Sequence, residues 1–302
     1  MFKVVLQIIK FSTLLTLLFS FCFKPFFTKK NIPNSEETEI PALIWESKKQ
    51  PNAFNAPPAI FYTPHQDDET LAMGSSIAES VRKRHPVYVV LLTNGDNPST
   101  NAILNGTTKC EFHNTNHNFN LSNQDFINAR NAEFLAACKA LGVHKVFISN
   151  NGKGFDETIG LENLNLKFFE TISFFSSQYT LASHHSISGN CDPYNKKGDR
   201  MNAHRACANA LQHLHNLDST KNIYLYKDYV YYFPKEERTA SFIKKNKKRD
   251  TKKKHKAFEE YNLFDPTKGR YAIGYQHSVW ELFNNSYSSE YEYIDLLPLE
   301  CN

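Results

Sequence analysis

One imidazole and three carboxylates fall within five residues of the chain. His65, Asp67, Asp68 and Glu69 lie in the stretch YTPHQDDETL, directly after an apolar run. Carboxylates this close repel one another and are costly to desolvate unless a cation or water relieves them. Solvent, a metal ion or a substrate could occupy the space among them.

A divalent metal explains the imidazole best. His65 and Asp68 are three positions apart where the chain is predicted to turn from strand into helix, so both can reach one ion, and Zn²⁺ accepts such ligands at about 2.0–2.2 Å. Asp67 would then accept a proton from metal-bound water, whose pKa falls from 15.7 to about 7, and Glu69 would orient a ligand. A solvated acidic helix start, favoured by the helix dipole, explains Asp68 and Glu69 but not His65.

A third ligand is expected from the later half of the chain. His204 opens the helical pattern HRACANALQHLH, whose apolar face packs inward and can fix the side chain. His184 and His185 are the alternatives, and either could instead donate a hydrogen bond to the transition state.

The elements that must position these residues alternate between apolar strands and helices. Strands are predicted at 58–63, 87–93, 143–149, 179–183 and 223–233, and helices at 71–82, 125–141, 161–176 and 202–215. Continuously apolar strands separated by helices predict a Rossmann-like three-layer α/β fold with a mostly parallel sheet covered on both faces. Residues 97–122, rich in Asn, Thr and Ser, predict a loop.

Polar groups follow three of these strands. His65 follows the first, Asn94 and Asp96 follow the second, and His184 and His185 follow the strand predicted at 179–183. Reactive groups collect beyond the carboxyl ends of parallel strands, near a switch in strand order. We therefore expect one shared pocket, with Asn94 and Asp96 in substrate binding.

Four blocks of sequence resemble the LmbE-like and PIG-L family of metal-dependent de-N-acetylases. In chain order they are PHQDDETLAMGSSIA, VVLLTNGD, RNAEFLAACKALGV and HRACANAL. The resemblance implies zinc ligands at His65, Asp68 and His204, with Asp67 as general base. Fe²⁺ and Co²⁺ tolerate the same donors. The resemblance also implies that Arg130 either binds the substrate or is a structural partner of Glu133.

Two positions depart from the family pattern. Gln66 replaces the usual Pro, which changes only the stiffness of the turn. Met201 stands where the family often has a His that stabilises the oxyanion or protonates the amine. His184 or His185 would have to supply that donor, since losing one typically costs about 10²–10³ in rate.

The activity implied by the resemblance is hydrolysis of an N-acetyl group from an N-acetylglucosamine-type amino sugar in a glycan or glycoconjugate. Two alternatives use the same fold. One is hydrolysis of another N-acyl group, and the other is a non-catalytic glycan-binding envelope protein with a degenerate site.

The N-terminus predicts export. Residues 1–27 have a basic start and a short apolar core, as in a signal peptide or membrane anchor. Residues 28–56 are polar and punctuated by Pro, which predicts a linker, and 57–302 would form the deacetylase domain. We expect an extracytoplasmic protein, in which a Cys110–Cys191 or Cys191–Cys301 disulfide is compatible with the spacing.

Charge is unevenly distributed along the chain. The net charge is +4, yet residues 244–256 alone carry nine Lys or Arg and a single Asp. No basic groove interleaved with aromatic residues accompanies this run, which argues against nucleic-acid binding. The run predicts a solvated, mobile surface segment, or alternatively a contact to anionic lipid or cell-envelope polymer.

Overall fold

The structure is a computed structural model that describes residues 39–48, 54, 56–189, 202–276 and 280–297. An eight-stranded sheet lies at its centre, and a two-stranded ribbon lies apart from it. The strands are β1 (Ala42–Glu46), β2 (Ala59–Thr63), β3 (Val87–Leu91), β4 (Lys145–Ile148), β5 (Ser183–Ile187), β6 (Asn222–Tyr226), β7 (Phe242–Lys245), β8 (Phe264–Asp265), β9 (Arg270–Tyr271) and β10 (Tyr291–Asp295).

The strand order creates a crevice beside β2. The large sheet runs β1-β4-β3-β2-β5-β6-β10-β7. The five strands from β4 to β6 are parallel, whereas β1, β10 and β7 are antiparallel to their neighbours. The chain leaves β2 toward β3 on one side and later returns to β5 on the other. The carboxyl ends of β2 and β5 therefore form the switch point where ligands bind in such sheets.

Helices cover both faces of the sheet. The helices are α1 (Asp68–Leu71), α2 (Gly74–Arg82), α3 (Pro98–Leu104), α4 (Asn123–Leu141), α5 (Ser149–Gly152), α6 (Leu161–Gln178), α7 (Asn202–Leu217), α8 (Lys248–Tyr261), α9 (Ile273–Gln276) and α10 (Trp280–Ser288). One apolar core joins the sheet to α2, α4 and α8, and a second joins it to α6 and α7. Short 3₁₀ turns lie at Glu157–Ile159, Tyr229–Tyr232, Lys235–Glu237 and Pro266–Lys268. The predicted α/β class with a mostly parallel sheet is confirmed.

Several boundaries differ from the sequence predictions. The strand predicted at 223–233 ends at Tyr226 and is followed by the 3₁₀ turn at Tyr229–Tyr232. Residues 42–46, assigned to the linker, form an edge strand paired with β4. Residues 98–104, assigned to a loop, form α3, because Asn97 caps the Thr100 amide and a Pro starts the first turn. The strand predicted at 179–183 begins only at 183, because polar side chains inside β5 resemble a loop sequence.

The basic run is not a mobile segment, contrary to the sequence expectation. It forms the end of β7 and most of α8. Lys244 pairs with Glu79 at 2.8 Å and with Glu292 at 3.3 Å. Lys254 is fully buried, with its ammonium 5.3 Å from the centre of the Tyr231 ring. Burial lowers the pKa of Lys254 to about 8.

Residues 1–27, where a signal or anchor is predicted, lie outside the described residues. Within the described ranges, every helix is too short or too polar to cross a bilayer.

Substituting Lys254→Met should stabilise the protein near pH 7. The pKa of Lys254 falls from 10.5 in the unfolded chain to about 8 in the fold. Below pH 8 the fold has to bury the charged ammonium, which lowers the free energy of unfolding. Above pH 10.5 the amine is neutral in both states and this penalty is absent. Chemical denaturation should show a gain on the order of 3 kcal/mol at pH 7 that shrinks toward pH 10.5. The exposed neighbour Lys252→Met is the control, and equal pH profiles for both variants would contradict the buried charge.

Candidate metal centre

Two threonines fix the turn that leaves β2. The Thr63 hydroxyl donates to the His65 carbonyl at 2.6 Å, and the Thr93 hydroxyl donates to the Pro64 carbonyl at 2.7 Å. Both side chains are fully buried. Because these bonds anchor the chain on either side of Pro64, the turn presents His65 at the carboxyl edge of the sheet.

The backbone of Asp67 is strained. Its φ of 120° lies in the left-handed region, which is costly for a residue with a side chain. Glu69 accepts a hydrogen bond from the Asp67 amide at 3.1 Å. Arg130 donates to the Gln66 carbonyl at 2.9 Å and to the Gly95 carbonyl at 2.8 Å. These contacts on both sides hold the Asp67 peptide in this conformation.

Three ligand atoms converge next to this turn. His65 Nδ1, Asp68 Oδ2 and His204 Nε2 lie 3.1 to 3.4 Å from one another. Zn²⁺ with bonds of about 2.0–2.1 Å in tetrahedral geometry separates its ligand atoms by about 3.3–3.4 Å. The triangle of protein atoms therefore fits one face of such a coordination sphere.

In each of the two histidines, a carboxylate lies next to the ring nitrogen that is not part of the triangle of ligand atoms. His65 Nε2 lies 2.8 Å from Glu157 Oε1, and His204 Nδ1 lies 3.3 Å from Asp228 Oδ2. A carboxylate at the outer nitrogen favours the proton there, which leaves the inner nitrogen as an acceptor. The centre then consists of three acceptor atoms in mutual contact, an arrangement that requires a positive charge among them.

The pKa values of the same groups show this demand for positive charge. Burial alone would lower the pKa of His65, but Glu157 and Asp68 raise it well above its usual value. Burial alone would also lower the pKa of His204, but Asp68 and Asp228 raise it. Burial alone would raise the pKa of Asp68, yet the two histidines hold it well below its usual range.

Asp67 differs from Asp68 in its electrostatic surroundings. Burial and the neighbouring Asp68 carboxylate raise the pKa of Asp67 to about 7, against the opposing effect of Arg130. The closest Arg130 nitrogen lies 3.7 Å from Asp67 Oδ2. Asp67 therefore has a pKa near neutrality, whereas Asp68 beside it is held in the ionised form.

The sequence of this region also matches a family. The model of the PIG-L family, described as GlcNAc-PI de-N-acetylase, matches residues 60–215. The chain belongs to the PIG-L family.

Solved structures share the PIG-L fold of this chain at low identity. A deacetylase of the teicoplanin biosynthesis pathway is 12% identical, with a TM-score of 0.54, and the match covers 78% of this chain and 96% of that one. The A40926 pseudoaglycone deacetylase is 18% identical, with a TM-score of 0.51 and coverage of 79% and 95%. At these identities the likeness shows the fold alone. No curated protein gives a significant match to the sequence.

Arg130 is predicted to bind substrate, but in this PIG-L family member its side chain contacts other residues of the chain. Its guanidinium is engaged with two backbone carbonyls and with Asp67, as described above. Glu133, its alternative partner, instead accepts hydrogen bonds from the amides of Tyr271 and Ile273. Arg130 therefore holds Asp67 and the turn in place.

Asn94 and Asp96 lie on the loop after β3, beside the β2 turn. The Asn94 carbonyl accepts a hydrogen bond from Gln66 Nε2 at 3.2 Å, and Gln66 also donates to Asn131 at 2.8 Å. The side chain of Asp96 accepts a hydrogen bond from Asn123 at 2.9 Å. Gln66, which replaces the family Pro, thus ties the two loops together, and the substrate-binding role of Asn94 and Asp96 stays a prediction.

The expectation that His184 or His185 acts as a catalytic donor does not hold. Both lie inside β5, where they pair with Ile60 and Phe61 of β2, upstream of the turn. His184 is fully buried against Tyr62, and His185 stacks on Phe61 with the ring centres 4.2 Å apart. Burial lowers the pKa of both imidazoles. Met201, the departure that made a substitute donor necessary, lies outside the described residues.

Sequence reasoning missed three residues of the centre. Glu157 lies in a 3₁₀ turn after β4, and Asp228 and Tyr229 come directly after β6. Burial and the carboxylates of Asp228 and Asp68 raise the pKa of the Tyr229 phenol, so it remains a neutral donor. The strand predicted at 223–233 runs through Asp228, whereas β6 ends at Tyr226, so the sequence did not reveal the strand end that places Asp228 at this edge.

Replacing Asp228 by Asn should weaken metal binding by about 10–100-fold, because the amide no longer holds the His204 imidazole as firmly. Competition with a chelator measures the zinc dissociation constant directly. Asp250→Asn, at another buried aspartate that pairs with Arg82, is the matched control and should leave the constant unchanged. Equal affinities for the two variants would show that Asp228 does not act through His204.

Proposed function

We propose that this protein is a metal-dependent hydrolase that removes the N-acetyl group from an N-acetylglucosamine-type amino sugar in a glycan or glycoconjugate. The observation that carries the proposal is the cluster of His65 Nδ1, Asp68 Oδ2 and His204 Nε2 within 3.4 Å of one another, with Asp67 beside it. Membership in a family described by de-N-acetylation supports the choice of reaction.

His65, Asp68 and His204 would hold the metal, with Zn²⁺ the preferred ion for two imidazoles and a carboxylate. When bound, such an ion polarises an amide carbonyl and lowers the pKa of a water molecule to about 7. Glu157 and Asp228 keep the two imidazoles in the tautomer and orientation that this requires.

Asp67 performs the proton transfers. Its carboxylate takes a proton from water as the water oxygen bonds to the acetyl carbon. The same proton then goes to the amide nitrogen as the C–N bond breaks, which yields acetate and a free amine. Burial and the Asp68 carboxylate raise the pKa of Asp67, and a bound cation would lower it again, which favours the carboxylate form that accepts the proton. Arg130 keeps this carboxylate in place and limits the rise of its pKa.

We also propose that the reaction takes place outside the cytoplasm, on the basis of the apolar segment in residues 1–27. The exposed cations of α8, such as Lys248, Arg249, Lys252 and Lys253, would contact an anionic envelope surface. Fractionation of cells that express the full chain tests this proposal, and recovery only in the cytosol would contradict it.

Asp67→Asn should abolish turnover while the metal stays bound. The amide cannot accept the proton, and loss of a general base costs about 10²–10⁴ in rate. The measurements are acetate release from N-acetylglucosamine, chitooligosaccharides and a GlcNAc glycolipid, together with metal content per chain. The exposed Asp218→Asn is the control and should match the wild type in both.

Three outcomes separate the alternatives. Release of a different acid from N-formyl or N-propionyl glucosamine, without acetate release, would reassign the acyl group. Metal-loaded wild type that acts on no member of the panel but binds glycans would favour a non-catalytic protein. Asp67→Asn that retains full turnover would remove Asp67 from the mechanism.

A further inference from the structure

A second cluster of metal-ligand side chains lies outside the candidate metal centre. Cys110, His113 and His117 are found in the loop between α3 and α4, in the spacing C-x₂-H-x₃-H. The amide of Cys110 donates to the Thr115 carbonyl at 2.9 Å, and the two residues form an isolated antiparallel bridge. This tight turn brings the thiol and both imidazoles to one side of the loop.

The potential ligand atoms of the cluster converge on one point. Cys110 Sγ lies 3.7 Å from His113 Nδ1, and His113 Nδ1 lies 3.2 Å from His117 Nε2. All three atoms lie within 4.8 Å of one another. In a tetrahedral zinc site, bonds of about 2.3 Å to sulfur and 2.0–2.1 Å to nitrogen place S and N about 3.5 Å apart and two nitrogens about 3.3 Å apart.

We propose that Cys110, His113 and His117 bind a second divalent metal ion, Zn²⁺, as three of its ligands. A thiolate with two imidazoles is a softer donor set than the first centre and suits zinc. The spacing of His113 and His117, H-x₃-H, is within the range found in zinc motifs. This inference does not depend on the proposed deacetylase activity.

Neighbouring groups fix the positions of the three side chains of the cluster. The backbone amide of His113 donates to Cys110 Sγ at 3.3 Å, which fixes the position of the sulfur. Cys110 is fully buried and His117 nearly so. The His113 ring packs on Phe264 with centres 4.3 Å apart, and the His117 ring stacks on Phe119 at 5.2 Å. Both imidazoles are therefore fixed in orientation before any ion binds.

A glycine allows this approach of the backbone. Gly106 has a φ of 81°, and a Cβ at that position would collide with the His117 carbonyl. The loop can therefore fold back on the end of α3 only with glycine there.

The position of the cluster indicates what the metal would do. It joins the loop at 105–122 to the β8–β9 ribbon through Phe264. The same loop leads into α4, whose first residue, Asn123, binds Asp96 beside the candidate metal centre. An ion at Cys110, His113 and His117 would hold one border of that centre in place.

Cobalt substitution tests the second site independently of catalysis. Thiolate coordination of Co²⁺ gives an intense near-ultraviolet charge-transfer band, which the His65, Asp68 and His204 centre cannot produce because it has no sulfur ligand. We expect wild type to bind two equivalents and show the band. Cys110→Ala should bind one equivalent and lose the band, whereas Cys138→Ala, which truncates another buried cysteine, should retain both.

Two further variants keep the test decisive. His113→Gln leaves the buried thiol in place and should also lose one equivalent, which covers the case that Cys110→Ala does not fold. His204→Ala should lose the other equivalent and keep the band, so failure of the first centre is distinguishable from failure of the second. A wild type with one equivalent and no band, or with Cys110 oxidised in a disulfide, would overturn the proposal.

Discussion

Three acceptor atoms in mutual contact need a cation, and this electrostatic requirement organises the carboxyl edge of the sheet. His65 Nδ1, Asp68 Oδ2 and His204 Nε2 lie within 3.4 Å of one another. Glu157 and Asp228 stand behind the two imidazoles and add negative charge. Without a positive charge in the middle, this arrangement would be strongly repulsive, so the site is suited to a metal ion.

The surrounding fold keeps that arrangement in place at some energetic cost. The positive φ of Asp67 is maintained because Glu69 binds its amide and Arg130 binds the preceding carbonyl. Glu69 is itself buried and accepts a hydrogen bond from the Tyr261 hydroxyl, which α8 contributes from across the core. The basic helix α8 therefore helps to support the turn that carries Asp67 and Asp68. Strain maintained in this way is characteristic of functional sites.

The fold and half of the site could be predicted from the sequence. His65, Asp67 and Asp68 are contiguous, and His204 begins a strongly periodic helix, so local pattern and the position of strand ends sufficed. His184 and His185 were misplaced because polar side chains inside β5 resemble a loop. Their true environment is the aromatic interior beside Phe61, which only the strand register reveals.

Glu157 and Asp228 could not be found by the same reasoning, because neither belongs to a local motif. Each lies in a 3₁₀ turn or beside one, and only the order of strands in the sheet brings it to a histidine that is distant in sequence. Arg130 was identified, but its role was not. Its partners include the backbone carbonyls of Gln66 and Gly95, and because every residue has a carbonyl, the sequence does not indicate which ones Arg130 contacts. The role of a polar residue is thus fixed by tertiary contacts that periodicity does not encode.

The central claim is that a metal ion lies among His65, Asp68 and His204, and anomalous X-ray scattering at the zinc edge tests it most directly. Crystals grown with Zn²⁺ should show an anomalous peak about 2.0–2.2 Å from His65 Nδ1, Asp68 Oδ2 and His204 Nε2. A map with no peak at that point, and with the three side chains hydrogen-bonded only to one another or to water, would contradict the account.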